Sequence, residues 1–178
     1  MMLPEIEGRN RRMLVFADHL RDLSFSALMT VYEQSNRESA KKNWPEESTD
    51  FALQLAEQEF YQYLRQVFFH TPGARYAIWL EHGIYVSALR LEPYRDGLLL
   101  SALETAPDYR KQGFAEALVR EVLRTLPVTS VYSHIHKCNH ASFNLHMKCG
   151  FHRISEQATY LDGSVDSKCC TVCSKGAV

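Results

Sequence analysis

Two periods of hydrophobic repetition run through this chain, and the switches between them mark out its elements. Met13–Ala17 is a short apolar run that reads as a first strand. Asp22 or Ser24 can cap a following helix, in which Phe25, Leu28, Met29 and Tyr32 recur at helical spacing. The pattern dissolves over the polar stretch Ser35–Asn43, and Trp44-Pro45 marks a break. Thr49 or Asp50 then caps a longer helix whose face carries Leu53, Ala56, Phe60, Tyr63, Leu64 and Val67, with Thr71-Pro72-Gly73 ending it. Tyr76–Leu80 and Ile84–Leu91 are rich in β-branched and aromatic residues, and Glu81-His82-Gly83 between them suits a hairpin. A turn signal over Pro93–Gly97 leads to a third strand, Leu98–Thr105.

Beyond Gly113 the helical period returns, with Phe114, Leu118, Val122 and Leu126 on one side and Pro127 as a stop. A strand over Val128–Ile135, a short helix over Ala141–Lys148 closed by Gly150, and a last hairpin of Phe151–Tyr160 and Val165–Cys173 complete the chain. The resulting order, β-α-α-β-β-β-α-β-α-β-β, is a mixed α+β arrangement. Its central strand–helix–strand unit is expected to be parallel and the rest antiparallel.

The segment Leu103–Ala115 holds the most informative chemistry. An apolar strand runs into a Pro turn, a short basic stretch and a glycine that opens an amphipathic helix. That order gathers free backbone N–H groups and the positive end of a helix dipole at one mouth, which suits phosphate or pyrophosphate.

Composition narrows the setting. With 178 residues, a single domain over 1–178 is expected. The formal net charge of −1 gives no global pull toward nucleic acid or an anionic membrane, so neither is an expected partner. No apolar run approaches membrane-spanning length, and Met1–Arg12 has no apolar signal core, so a cytoplasmic location is expected. The five cysteines, Cys138, Cys149, Cys169, Cys170 and Cys173, are odd in number and clustered late, unlike a secreted disulfide framework. Cys170 and Cys173 form one C-x-x-C pair without a second. The stretch therefore reads as an edge strand with small thiols on both faces, and no metal is expected despite the nearby histidines.

With these motifs in place, the chain resembles the GCN5-related N-acetyltransferase (GNAT) superfamily from about Met13 to Cys173. The family signature Arg/Gln-x-x-Gly-x-Gly/Ala is matched by Arg110-Lys111-Gln112-Gly113-Phe114-Ala115, with Pro107 three residues earlier. The family's Asn, spacer and Gly-Phe ending is matched by Asn139 through Gly150-Phe151. The resemblance implies a mostly antiparallel twisted sheet flanked by helices, with a parallel pair of strands that splays apart. It also implies acetyl-CoA as cosubstrate. Its pyrophosphate would be held by backbone N–H groups of Lys111, Gln112, Gly113, Phe114, Ala115 and Glu116. Its pantetheine arm would pair with Leu103, Glu104 and Thr105. Arg110, Lys111 and Lys137 could neutralise phosphate charge, and Asn139 would contact the cosubstrate or cap the next helix.

An acceptor amine with a pKa of about 10.4 must lose a proton before it attacks a thioester. Glu104 is the candidate base; the alternative is a strand-end glutamate that reaches solvent. Seven residues after Asn139, where many family members carry a tyrosine acid, this chain has His146. It is either the acid for the leaving thiolate or a surface histidine. The acceptor pocket is expected to draw on Tyr32, Glu33, Arg37 and Trp44, with Asn36 and Glu38 nearby. A small-molecule or protein amine is the expected acceptor, and a homodimer is a further possibility. The competing reading is a non-catalytic acyl-CoA-binding sensor or regulatory module, suggested by the missing tyrosine.

Overall fold

The computed structural model describes residues 12–127 and 130–175. Nine strands lie at Arg12–Ala17 (β1), Arg75–Glu81 (β2), Ile84–Tyr94 (β3), Gly97–Thr105 (β4), Ser130–His136 (β5), His152–Ser155 (β6), Ala158–Thr159 (β7), Val165–Asp166 (β8) and Cys169–Lys175 (β9) among the described residues. Among the described residues, α-helices lie at Phe25–Val31 (α1), Glu33–Asn43 (α2), Thr49–Gln66 (α3), Phe114–Thr125 (α4) and His140–Lys148 (α5). Seven strands form one sheet in the order β1-β2-β3-β4-β5-β9-β6, with β7 and β8 as a separate small ladder. Among the described strands, only β4 and β5 pair in parallel. The α+β order and the parallel central unit expected from the sequence are both present.

Side-chain alternation along the strands sends residues into two helical layers. On one face Leu89, Leu91, Ala77 and Leu100 bury against Leu118, Val119 and Val122 of α4. On the other, Tyr76, Ile78 and Ala88 meet Leu28, Met29 and Val31 of α1 and Leu64 of α3. Each fully buried leucine or phenylalanine in these layers is worth about 1.5–3 kcal/mol.

Several elements differ from the sequence expectation. Where the pattern dissolved, α2 is helical. Its buried face is only Asn36 and Ala40, which meets Ala52 and Ala56 of α3, too small a stripe to register as periodicity. The exposed side is laced by i,i+4 contacts, Arg37 Nε to Glu33 Oε1 at 3.0 Å and Gln34 Nε2 to Glu38 Oε1 at 2.9 Å. Ser48, not Thr49 or Asp50, caps α3 by accepting from the Phe51 N–H. α3 stops at Gln66, and a 3-10 turn over Phe68–His70 precedes Thr71-Pro72-Gly73. The first two positions of the strand expected at Val128 lie outside the described residues. The cysteine-bearing strand β9 is not an edge: β5 and β6 flank it, and Cys170, Thr171, Val172 and Cys173 are all buried. The last hairpin is broken: β6 carries an irregularity between Arg153 and Ser155 and stops at Ser155, and the turn is flanked by the separate pair β7 and β8.

Gly97 brings β4 unusually close to β5. A Cβ there would stand 1.9 Å from the Ser130 carbonyl oxygen. Gly97→Ala must therefore push β4 and β5 apart at their parallel seam. We expect it to lower unfolding free energy by roughly 3 kcal/mol, read as a lower denaturation midpoint.

Candidate active site

The site begins where β4 and β5 part. Their parallel pairing covers only Leu98–Leu100 against Val131–Ser133. Beyond it, β4 carries a bulge: its pairing with β3 jumps from Arg90↔Ser101 to Ala88↔Glu104, and Ala102 has φ of +50°. The Tyr32 hydroxyl fixes this bulge by donating to the Ala102 carbonyl at 2.6 Å. The divergence opens a crevice of about 200 Å³ lined by Ala102, Leu103, His134, Asn139 and His146. It also leaves Leu103, Glu104 and Thr105 along a groove of about 540 Å³ that α5 borders from the other side.

That groove continues into a second of about 400 Å³, lined by Arg110, Lys111, Gly113, Phe114, Ala115 and Glu116 and by Lys148 of α5. Gly113 sits at φ +84° as the N-cap of α4, and Lys111 at φ +60°. No side chain caps the helix, so the first-turn N–H groups of Phe114, Ala115 and Glu116 have no intrahelical partner. A Cβ on Gly113 would meet no protein atom within 4 Å. The glycine is thus demanded by its backbone angle, and the space beside it is the cradle itself. Unpaired donors, a helix N-terminus and lysines on two sides suit a pyrophosphate.

Glu104 lines the first groove and also a cavity of about 490 Å³ on its far side, between α2, α3 and the sheet. Burial pushes its carboxyl above the ordinary value of 4.5, against the opposing pull of the Arg110 guanidinium and a hydrogen bond from Ser35. Arg110 Nη2 stands 3.7 Å from Glu104 Oε2, while its Nε donates to the Thr105 carbonyl at 3.0 Å and its Nη1 contacts Gln34. Arg110 is therefore tied to the strand end, leaving Lys111 and Lys148 as the cations along the deeper groove. Lys137 follows β5, hydrogen-bonded through its N–H to the Lys168 carbonyl, and lines neither groove.

Asn139 caps α5, its Oδ1 accepting from the Ser142 N–H at 3.0 Å, and still faces the first groove. His146 is not a surface residue: it is 1% exposed, with its ring against Phe151 at a centroid distance of 4.9 Å. Its Nδ1 lies 2.8 Å from the Ser142 carbonyl oxygen, which requires the proton to sit on Nδ1. Nε2 is buried without a partner, and burial lowers the imidazole pKa from its ordinary 6.5.

Of the four residues expected at the acceptor pocket, Tyr32 lines the cavity shared with Glu104. Arg37 and Trp44 line a neighbouring pocket of about 290 Å³ between the end of α2 and the start of α3. Glu33 is engaged with Arg37 on the exposed side of α2. The sequence reading missed the other walls of the Glu104 cavity, namely Ser35, Ser39, Glu59, Phe60, Tyr63 and Arg90, alongside the expected Asn36. Arg90 had a visible signal, since it interrupts the apolar run of β3.

Among the described residues, no three His, Cys, Asp or Glu side chains converge as metal ligands. No helix there is long and apolar enough to cross a membrane.

A family model described as the Acetyltransferase (GNAT) family matches residues 30–151. No curated protein matched the chain. Among solved structures, the chain is similar to the PaiA N-acetyltransferase from Thermoplasma acidophilum in complex with coenzyme A, with 13% identity, TM-score 0.59 and coverage of 92% of this chain and 99% of that one. It is also similar to the ribosomal-protein-S18-alanine N-acetyltransferase from Escherichia coli, at 15% identity and TM-score 0.57, covering 93% and 96%. A SpeG spermidine N-acetyltransferase variant from Vibrio cholerae gives 16% identity and TM-score 0.57, covering 93% and 94%. At these identities the likeness is one of fold.

Proposed function

The chain belongs to the acetyltransferase (GNAT) family, and from that premise we propose that it transfers an acetyl group from acetyl-CoA to a primary amine, with Glu104 as general base. The observation that carries this reading is the position of Glu104, a half-buried carboxylate in the wall between the cosubstrate groove and a separate cavity. When bound, acetyl-CoA supplies an activated thioester whose carbonyl carbon accepts the amine. The N–H groups opening α4, with Lys111 and Lys148, hold the pyrophosphate. Leu103–Thr105 present the β4 edge to the pantetheine arm, and backbone N–H groups there stabilise developing negative charge on the carbonyl oxygen.

Glu104 takes the ammonium proton, and burial suits it to this role by bringing its pKa closer to the working pH. His146 borders the crevice in which we place the sulfur. Its Nδ1 proton is committed to Ser142, so Nε2 can give a proton only from the imidazolium form, which burial disfavours. The carbon–sulfur bond then breaks with CoA leaving as the thiolate, which takes its proton from water.

Mixing acetyl-CoA with a broad amine panel should release free CoA thiol. The turnover rate should rise with pH through the raised Glu104 pKa, because only the carboxylate accepts a proton. Were the His146 imidazolium the acid, the rate would instead fall as pH climbs through a value below 6.5. We expect no such falling limb between pH 6.5 and 8. Strong thermal stabilisation by acetyl-CoA with no turnover on any amine would favour the sensor reading. Absence of stabilisation far above micromolar concentrations would overturn cosubstrate binding itself.

A further inference from the structure

Arg90 is the one feature of the acceptor cavity that simple amine binding does not use. It projects from β3 on the same face as Ala88, which is paired with Glu104, so the guanidinium and the carboxylate border one cavity. Its guanidinium lies over aromatic rings, with the central carbon 5.0 Å from the Tyr63 centroid and 5.9 Å from that of Phe68. Ring faces hold a guanidinium in place but offer no acceptor to its in-plane N–H groups.

Among the described residues the Arg90 side chain forms no hydrogen bond or ion pair, and its Nε is fully buried without a partner. Glu59 stands exposed at the cavity rim and Glu92 lies two residues along the strand, yet neither reaches it within ion-pair distance. A guanidinium cannot shed its proton to relieve such a position. It is a fixed cation, oriented and lacking an anion.

We infer that the acceptor is an amine that also carries a carboxylate, in the manner of an amino acid, with the carboxylate on Arg90 and the amine toward Glu104. This rests on the acetyl-transfer reading above. The cation and the carboxylate that line one cavity then match the two ends of a zwitterion. The planar fork of arginine fits a carboxylate with two parallel hydrogen bonds. A polyamine would place a second cation against Arg90, so the same geometry disfavours polycations. The aromatic walls, Tyr32, Phe60 and Tyr63, leave the side-chain portion of the acceptor an apolar surface.

The test compares L-amino acids with their primary carboxamides and with the corresponding amines lacking the carboxyl group. CoA-thiol release is measured for wild type, Arg90→Gln and Arg90→Lys. Calorimetry with CoA-loaded protein reads acid binding independently of turnover. In wild type, kcat/KM for the preferred acid should exceed that of its amide by about 10- to 100-fold, the span of a charge-assisted hydrogen-bonded contact. The preference is diagnostic because the amide's amine is less basic, so more of it is free to attack. Arg90→Gln should bring acid and amide within about threefold, chiefly through KM for the acid, and Arg90→Lys should fall between. If the Gln variant does not fold, the Lys variant's ratio decides. Amides equal to acids in wild type, or a preference that survives both substitutions, overturns the proposal. Acids that bind wild type but not the variants, with no thiol release from either class, would sustain the Arg90 site while sinking acetyl transfer. Absence of both acid binding and thiol release in wild type overturns the proposal.

Discussion

Replacing Glu104 by glutamine should lower kcat by about 10²–10⁴-fold, the usual contribution of a positioned general base. It should leave the thermal stabilisation by acetyl-CoA largely intact. The separation follows from where the side chain sits. The pyrophosphate cradle we propose lies on the N-terminus of α4, whereas Glu104 is on β4 and lines the neighbouring groove, where the proposal puts the acyl end. Glutamine keeps the shape and an oxygen for the Ser35 hydroxyl, so packing around the bulge should survive. It loses the ion pair with Arg110 at 3.7 Å, which is partly exposed and worth little on its own. A catalytic loss of this size, with an unchanged melting shift, therefore reports proton transfer rather than binding. Retention of full turnover would remove Glu104 as base and direct attention to Glu38, whose charge already acts on the Glu104 carboxyl, and to Glu59 on the cavity rim.

The two halves of the site were unequally legible in the sequence. The cosubstrate half depends on backbone, and backbone demands leave residue signatures. Gly113 at positive φ, Pro107 opening the turn and Asn139 capping α5 each have few substitutes, so a single sequence suffices to see them. The acceptor half depends on side chains brought together from α2, α3, β3 and β4. α2 was invisible because its buried face is an asparagine and an alanine against two more alanines. With α2 unread, the residues it aims at the sheet could not be sorted from those it aims at solvent. Tyr32 was placed at the cavity, while Glu33 on the next position faces away. His146 shows a related limit: the sequence put it on a short helix near the end of the chain, where only the packing of Phe151 and the crevice between β4 and β5 makes it a buried residue.

At Gly113 two near-isosteric substitutions separate conformation from charge. Asparagine and aspartate both tolerate the left-handed region better than other side chains. Since a Cβ there meets no protein atom, neither should cost more than about 1 kcal/mol of stability. Both put a side chain into the space beside the first-turn N–H groups, so both should raise the dissociation constant for acetyl-CoA. Aspartate adds a negative charge at the place where we propose that the pyrophosphate is held. Two like charges about 4 Å apart repel by roughly 1 kcal/mol in water and about 4 kcal/mol at a partly shielded surface. Solvent access to the open groove favours the lower part of that range. Gly113→Asp should therefore bind acetyl-CoA about five- to tenfold more weakly than Gly113→Asn in calorimetric titration, and added salt should narrow the gap. The gap should vanish for a pantetheine thioester lacking the pyrophosphate. Equal affinities for the two variants at low salt would mean that the phosphates lie elsewhere, and the assignment of the α4 N-terminus would fall with them.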